Sequence, residues 1–193
     1  GARVGMVFQE PMTALNPLKT IGAQVAEVIR IHRADPDPEA AARRALTRAG
    51  LPPEQFPMDR YPHDLSGGQR QRVVIAMAVA LRPRLLIADE PTTALDVTTQ
   101  AVILDLLKTL AREDGAGLMM ITHDLAVVAD MADRIAIMKD GAVVQIGTPE
   151  DLVLRPANDY VAEFTRGVAR AKVIRAGSLM ETGSAPAGAP AVD

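Results

Sequence analysis

Cysteine is absent from the 193 residues, which removes disulfides, thiolate metal sites and a cysteine nucleophile together and fits a reducing compartment. Tryptophan is absent too, and aromatics make up only 3%. Leu, Ile, Val, Ala and Met must therefore fill the core that a chain of this length is able to bury. No run approaches the roughly 18–20 consecutive apolar residues of a membrane-spanning helix, and Gly1-Ala2-Arg3-Val4 has no apolar stretch of the signal-peptide kind. Charge of one sign is also missing. A net charge of −3 and a pI near 5.7 give no electrostatic case for nucleic acid or an anionic membrane surface. Finally, no lysine follows a glycine: Lys19, Lys108, Lys139 and Lys172 follow Leu18, Leu107, Met138 and Ala171. The phosphate-cradling loop G-x-x-x-x-G-K-[ST] is therefore nowhere in the sequence.

What is present alternates between strand and helix signals. Val4–Gln9 is a short apolar run that reads as a buried strand already under way. Together with the missing initial Met, it gives the expectation that the sequence starts inside a larger gene product. A helical pattern follows from about Ile21 to His32, and then "DPDPEAAARRALTRAG", with Asp37 as N-cap, Pro38 at the first helical position and Gly50 closing the helix. Ser66 is expected to cap a helix of about sixteen residues ended by Pro83. Leu85–Ala88 lacks alternation, the pattern of a strand covered on both faces. A helix over Val97–Glu113, a second buried run "LMMIT" ending at His123, a short helix in "DLAVVADMA" and a hairpin turning at Asp140-Gly141 complete the order. The alternation predicts an α/β domain with a largely parallel sheet. The segment 176–193, rich in Gly, Ala, Pro and Ser, is expected to be a disordered tail.

Several polar residues stand where such a fold places ligands. Ser66-Gly67-Gly68 opens a helix, whose unpaired N–H groups and dipole favour phosphate; taken alone it reads as readily as an ordinary N-cap with a loose first turn. Asp89 and Glu90 end a strand, at the edge where α/β sheets form their crevice. There an Asp holds Mg²⁺ and a Glu polarises a water, although an exposed acidic turn before Pro91 would look similar. His123 and Gln9 also sit at strand ends. A neutral imidazole there can contact a phosphate or the attacking water, and Gln9 is a candidate Mg²⁺ or water ligand; each alone is equally well a structural residue.

Jointly, "VFQEP" at 7–11, "LSGGQRQR" at 65–72, "LLIADEP" at 85–91, "ALD" at 94–96 and "ITHD" at 121–124 closely resemble the Q-loop, signature motif, Walker B, D-loop and switch histidine of ATP-binding cassette (ABC) ATPases, in that family's order. The resemblance covers about Val4 to Leu152. It implies a P-loop NTPase-like α/β fold with a parallel-sheet core and a helical subdomain at about 21–82, within a partial ATPase domain at 1–175. It also implies ATP and Mg²⁺ as cofactors. Gln9 would sense Mg²⁺ and nucleotide, and Ser66, Gly67, Gly68 and Gln69 would close over the γ-phosphate held by an opposite subunit. Asp89 would serve Mg²⁺, Glu90 would be the catalytic carboxylate, Asp96 would cross the dimer interface and His123 would brace the γ-phosphate. The implied partners are membrane permease subunits, a second ATPase subunit and, indirectly, a solute-binding protein, at the cytoplasmic face of the inner membrane.

The family's Gly-Lys loop and its adenine-stacking aromatic are expected upstream of Gly1, so the chain is expected to be an N-terminally truncated ATPase lacking the first strands and the Walker A loop. A degenerate, non-hydrolytic relative is the other explanation, against which intact Glu90 and His123 speak. Residues from "GMVFQEPMTALNP" to "TTALDVTTQ" resemble peptide-importer ATPases, whereas "DRIAIMKDGAVVQIGTPEDLVLRPANDYVAEF" resembles the glycine betaine, proline and choline importers. The expected function is thus the ATP-hydrolysing subunit of a bacterial importer of peptides or quaternary amines. Its alternative is a non-catalytic module that pairs with an active ATPase. An ATPase acting on nucleic acid is disfavoured, because no coiled-coil insertion, zinc module or basic linker is present.

Overall fold

The computed structural model describes residues 2–32, 35–93, 95–129 and 131–168; the expected tail at 176–193 lies outside them. Two compact units are formed, Gly1–Thr122 and His123–Asp193.

In the first unit, β1 (Val4–Val7), β2 (Leu85–Asp89) and β3 (Gly117–Ile121) form a parallel sheet in the order β1-β2-β3. Between β1 and β2 lie α1 (Pro11–Ala14), α2 (Ile21–His32), α3 (Pro38–Arg48) and α4 (Gly67–Val79); α5 (Val97–Glu113) joins β2 to β3. Local chemistry sets these bounds. Asp37 accepts the Ala40 N–H to start α3, with Pro38 inside the first turn. Gly50, at φ 76°, supplies the left-handed residue beyond its end. Asp96 caps α5, whose limits coincide with the sequence expectation.

Three expectations need correction. The first strand ends at Val7 rather than Gln9, because Pro11 opens a helix two residues further on. α4 has thirteen residues rather than sixteen; a following proline disfavours right-handed helical backbone in the residue before it, and Arg82, ahead of Pro83, stands outside that region at φ 49°. β2 is not covered on both faces: its residues alternate between buried and half-buried. Val7, Leu86 and Ala88 face the helices and are buried. The other face is open, with Val4, Met6, Met119 and Ile121 all exposed. An apolar run therefore marked a strand correctly but not how many of its faces are packed. Among the described residues no helix is long and apolar enough to cross a membrane.

In the second unit, β4 (Ile135–Lys139) and β5 (Ala142–Gly147) form the expected antiparallel hairpin. Asp140 and Gly141 turn it with φ of 51° and 77°, the backbone a two-residue hairpin turn requires. The short helices α6 (Leu125–Val128), α7 (Pro149–Leu154) and α8 (Asp159–Phe164) accompany it, with Ile137, Leu152 and Val161 as a small core.

β1 lies so close to α4 that a Cβ on Gly5 would run into the carbonyl oxygen of Ala78. Backbone cannot step aside as a side-chain tip can, so Gly5→Ala is expected to destabilise the chain by about 1–3 kcal/mol. Urea denaturation of the two proteins measures the difference.

Candidate phosphate and metal site

The carboxyl ends of the parallel strands bring the first group of residues together. Gln9 lies two residues beyond β1, Asp89 is the last residue of β2, and Glu90 follows it. The Gln9 Nε2 amide donates to Glu90 Oε2 at 2.9 Å, and the Thr93 hydroxyl donates to the same oxygen at 2.9 Å. Glu90 itself stands at φ 42°, a left-handed backbone uncommon for a residue with a Cβ. Its N–H still bonds to the Ile121 carbonyl at 2.9 Å, and its own carbonyl accepts from the Thr93 N–H at 3.2 Å. The backbone thus stays tied to β3 while the chain turns away.

The second group is built on two helix starts. Ser66 Oγ accepts the Gln69 N–H at 3.3 Å, and Gln69 Oε1 accepts the Ser66 N–H at 2.9 Å, a reciprocal capping box. The Arg70 N–H is taken by the Ser66 carbonyl. Of this first turn, the N–H groups of Gly67 and Gly68, with the Ser66 hydroxyl proton, are what an anion would meet. The two glycines differ. A Cβ on Gly67 would reach only ordinary contact with Leu95, at 3.7 Å, whereas one on Gly68 would stand 2.6 Å from the Thr99 methyl group. Gly68 is therefore required where α4 meets α5, and Gly67 is the glycine whose missing side chain leaves room. Asp96, expected at a dimer interface, has both carboxylate oxygens engaged within its own helix start: Oδ1 accepts the Thr99 N–H at 3.0 Å and Oδ2 the Thr99 hydroxyl at 2.6 Å. The hydroxyl bond first, and the backbone bond after it, hold this carboxyl below its ordinary value of 3.8.

His123 belongs to the second unit, two residues past β3. It is exposed and lines, with Asp124, Leu125, Phe164, Gly167 and Val168, an open pocket of about 240 Å³. Sequence reasoning missed Thr93, Thr99 and the left-handed Glu90. The Thr three residues after Glu90 and after Asp96 was the available signal for the first two; the backbone twist had none.

Among the described residues no group of three or more His, Asp or Glu side chains could cage a metal. Mg²⁺ rarely needs one: it keeps waters and takes one or two carboxylates with phosphate oxygens. Half-buried Asp89, the last residue of β2 and adjoining the Glu90 that the Gln9 amide holds, fits an ion that arrives with a nucleotide.

Gly68→Ala is expected to lower the unfolding midpoint while Gly67→Ala leaves it nearly unchanged, as thermal denaturation would show; equal losses would remove the packing role given to Gly68. For Asp96, a depressed folded-state value means that its cap contributes stability above the ordinary 3.8 and loses that contribution as pH falls through the folded value. Carboxyl chemical shifts are expected to titrate below 3.8 in the wild type and to move upward in Thr99→Val, which keeps only the backbone bond.

The comparisons with known proteins agree with this picture. Residues 1–93 match the family model described as "ABC transporter". Over 181 residues, 93% of this chain, the sequence is 49% identical to the glutathione import ATP-binding protein GsiA of Salmonella paratyphi A. The protein of that name from Escherichia coli K12 is 52% identical over 170 residues, 87% of this chain. The chain spans only 29% and 27% of those two relatives. Among solved structures, the dimeric post-hydrolysis state of the ATP-binding cassette MJ0796 bound to ADP and Pi matches with a TM-score of 0.64 at 38% identity, covering 76% of this chain and 63% of that one. The expected betaine-importer character of the C-terminal part finds no support in these relatives, whose names speak of glutathione. With its three parallel strands, its helices and these likenesses, the chain has the fold of an ABC ATPase, and its residues 1–93 are similar to an ABC transporter ATP-binding domain.

Proposed function

We propose that this chain acts in the ATP-hydrolysing subunit of an importer for small peptides of the glutathione type, docked on membrane permease subunits and paired with a second ATPase subunit. The observation behind this reading is the position of Glu90. It stands at the carboxyl edge of a parallel sheet, with two neutral donors fixing one of its oxygens. A carboxylate held so, beside Asp89, is oriented to polarise a water against a phosphoryl group, and phosphoryl transfer is largely a matter of such positioning and charge stabilisation. Asp89 and Gln9 would hold Mg²⁺, which neutralises phosphate charge when bound. Ser66, Gly67, Gly68 and Gln69 would cap a γ-phosphate held by the paired subunit, Asp96 would lie near that pairing surface, and His123 would brace the phosphate. The names of the glutathione-importing relatives support the peptide branch; the quaternary-amine branch rests on the C-terminal resemblance alone.

A second reading is a non-catalytic module that lends its signature turn to an active partner, in which Ser66 and Gly67 act and Glu90 does not. Under either reading the 193-residue chain by itself is expected to bind ATP weakly and hydrolyse little. Appreciable turnover by the isolated chain would overturn both. The two separate when the chain is fused behind a strand and G-x-x-x-x-G-K-[ST] loop taken from a complete ABC ATPase, so that Glu90 has a cradled phosphate beside it. The subunit reading expects Glu90→Gln to lower turnover by about 10²–10⁴-fold, the usual worth of a positioned general base. Loss on Gly67→Val with no loss on Glu90→Gln would leave the module reading in its place.

A further inference from the structure

Arginines collect at the amino end of the parallel sheet, the edge opposite Asp89 and Glu90. Arg3 precedes β1 and Arg84 precedes β2, and the strand register sets them side by side: the Arg84 N–H donates to the Arg3 carbonyl at 3.0 Å. Arg82 stands two residues before Arg84, with buried Pro83 between them and close to Gly5. Arg112 lies in the last turn of α5, and Arg48 ends α3. Arg3, Arg82, Arg84 and Arg112 are exposed.

Acidic side chains at this edge do not balance them. Asp114, the C-cap residue of α5, is 4% exposed. Its Oδ1 accepts from Arg48 Nη2 at 2.9 Å, and Arg82 Nε lies 3.7 Å from the same oxygen. Glu113 is taken by Arg48 as well, at 3.2 Å. Arg3, Arg84 and Arg112 form no ion pair with any described residue, whereas Lys19 and Arg30 of the same unit are paired with Glu27 and Glu39. Like charges on facing strand positions oppose pairing, so the sheet gains nothing from Arg3 beside Arg84.

We propose that this edge docks an acidic segment of a partner protein, whose Asp and Glu carboxylates are taken by Arg3, Arg84 and Arg82. Three features select that occupant. A guanidinium fork fits a carboxylate through two parallel hydrogen bonds, and Asp114 is a carboxylate already held at this edge by arginines. The backbone beneath Arg3, Arg82 and Arg84 is fixed by the strand register and by Pro83, so less order has to be gained on binding. The chain as a whole carries a net charge of −3. A long nucleic acid or a lipid surface would meet that acidic excess, whereas a short segment meets only the edge. The inference stands apart from the proposed function, because it concerns the opposite ends of the strands from Glu90.

The probe is a fluorescein-labelled octaglutamate peptide, titrated with the 193-residue chain at low ionic strength and read by fluorescence anisotropy. Saturable binding that weakens with added salt is expected. Arg3→Gln combined with Arg84→Gln is expected to weaken it about 10-fold with an unchanged circular dichroism spectrum. Should that double variant fold poorly, Arg84→Gln alone decides, with a loss of about threefold. Arg43→Gln combined with Arg60→Gln removes the same charge on α3 and beside Phe56, and is expected to leave the affinity nearly unchanged. No saturable binding, or an equal loss in this control pair, would overturn the docking surface. So would arginine-dependent binding to phosphatidylglycerol vesicles without binding of the peptide, which would make the edge one that faces lipid.

Discussion

The parallel register of β1 on β2 is the constraint on which the candidate site depends. Val7 pairs with Ala88 and Ala88 with Met120, so the chain segments leaving β1 and β2 emerge side by side. Gln9 and Glu90, each two residues beyond that level, can then meet through a side-chain hydrogen bond although 81 residues separate them. A slip of one residue would send the buried row of Val7, Leu86 and Ala88 to the open face. It would also separate Gln9 from its acceptor. The packing of that row, held close by Gly5 against α4, therefore fixes the geometry of polar groups it never touches.

Strand alternation alone would place Glu90 on the wrong face. Leu86 and Ala88 point into the helices, and a continued strand would carry Glu90 after them into the core. The left-handed turn at φ 42° breaks the alternation and redirects the side chain to the strand edge. A non-glycine residue in that backbone costs on the order of 1–3 kcal/mol. The Glu90 N–H bond to Ile121, the Thr93 N–H bond to the Glu90 carbonyl and the two donors on Oε2 offset it locally. The strain and the hydrogen bonds are two parts of one arrangement, because the bent backbone is what lets Oε2 face Gln9 and Thr93.

How legible this was in the sequence depends on the range of the interaction involved. Capping residues announce helices within three or four positions, so Asp37 for α3, Ser66 for α4 and Asp96 for α5 were readable, as was the Asp140-Gly141 turn. The family resemblance of the motifs likewise pointed to Gln9, Asp89, Glu90 and the Ser66 turn as candidate site residues. What remained hidden was set by partners distant in sequence. The open face of the sheet depends on which layers the chain supplies. The need for glycine at 68 comes from Thr99 on another helix, so the pair Gly67-Gly68 looked uniform while only one of its members is free of packing demands. The joining of Arg48 to Asp114 leaves no local pattern at all.

The signature turn also explains why the two functional readings predict the same behaviour of the isolated chain. A helix start presents roughly half a positive charge and a few N–H donors, and the capping box has already engaged two of those donors at Ser66 and Gln69. What is left, the Gly67 and Gly68 amides and one hydroxyl, can complete the coordination of a phosphate oxygen but cannot neutralise a triphosphate. Such a turn recognises an anion whose charge is met elsewhere, by a lysine and a metal ion in a phosphate cradle. The weak ATP binding expected at this turn would therefore be a property of its electrostatics and would carry no information about whether Glu90 acts. Only the carboxylate edge, where Glu90 is strained into place and doubly held, separates a hydrolytic subunit from a module that merely closes over its partner's nucleotide.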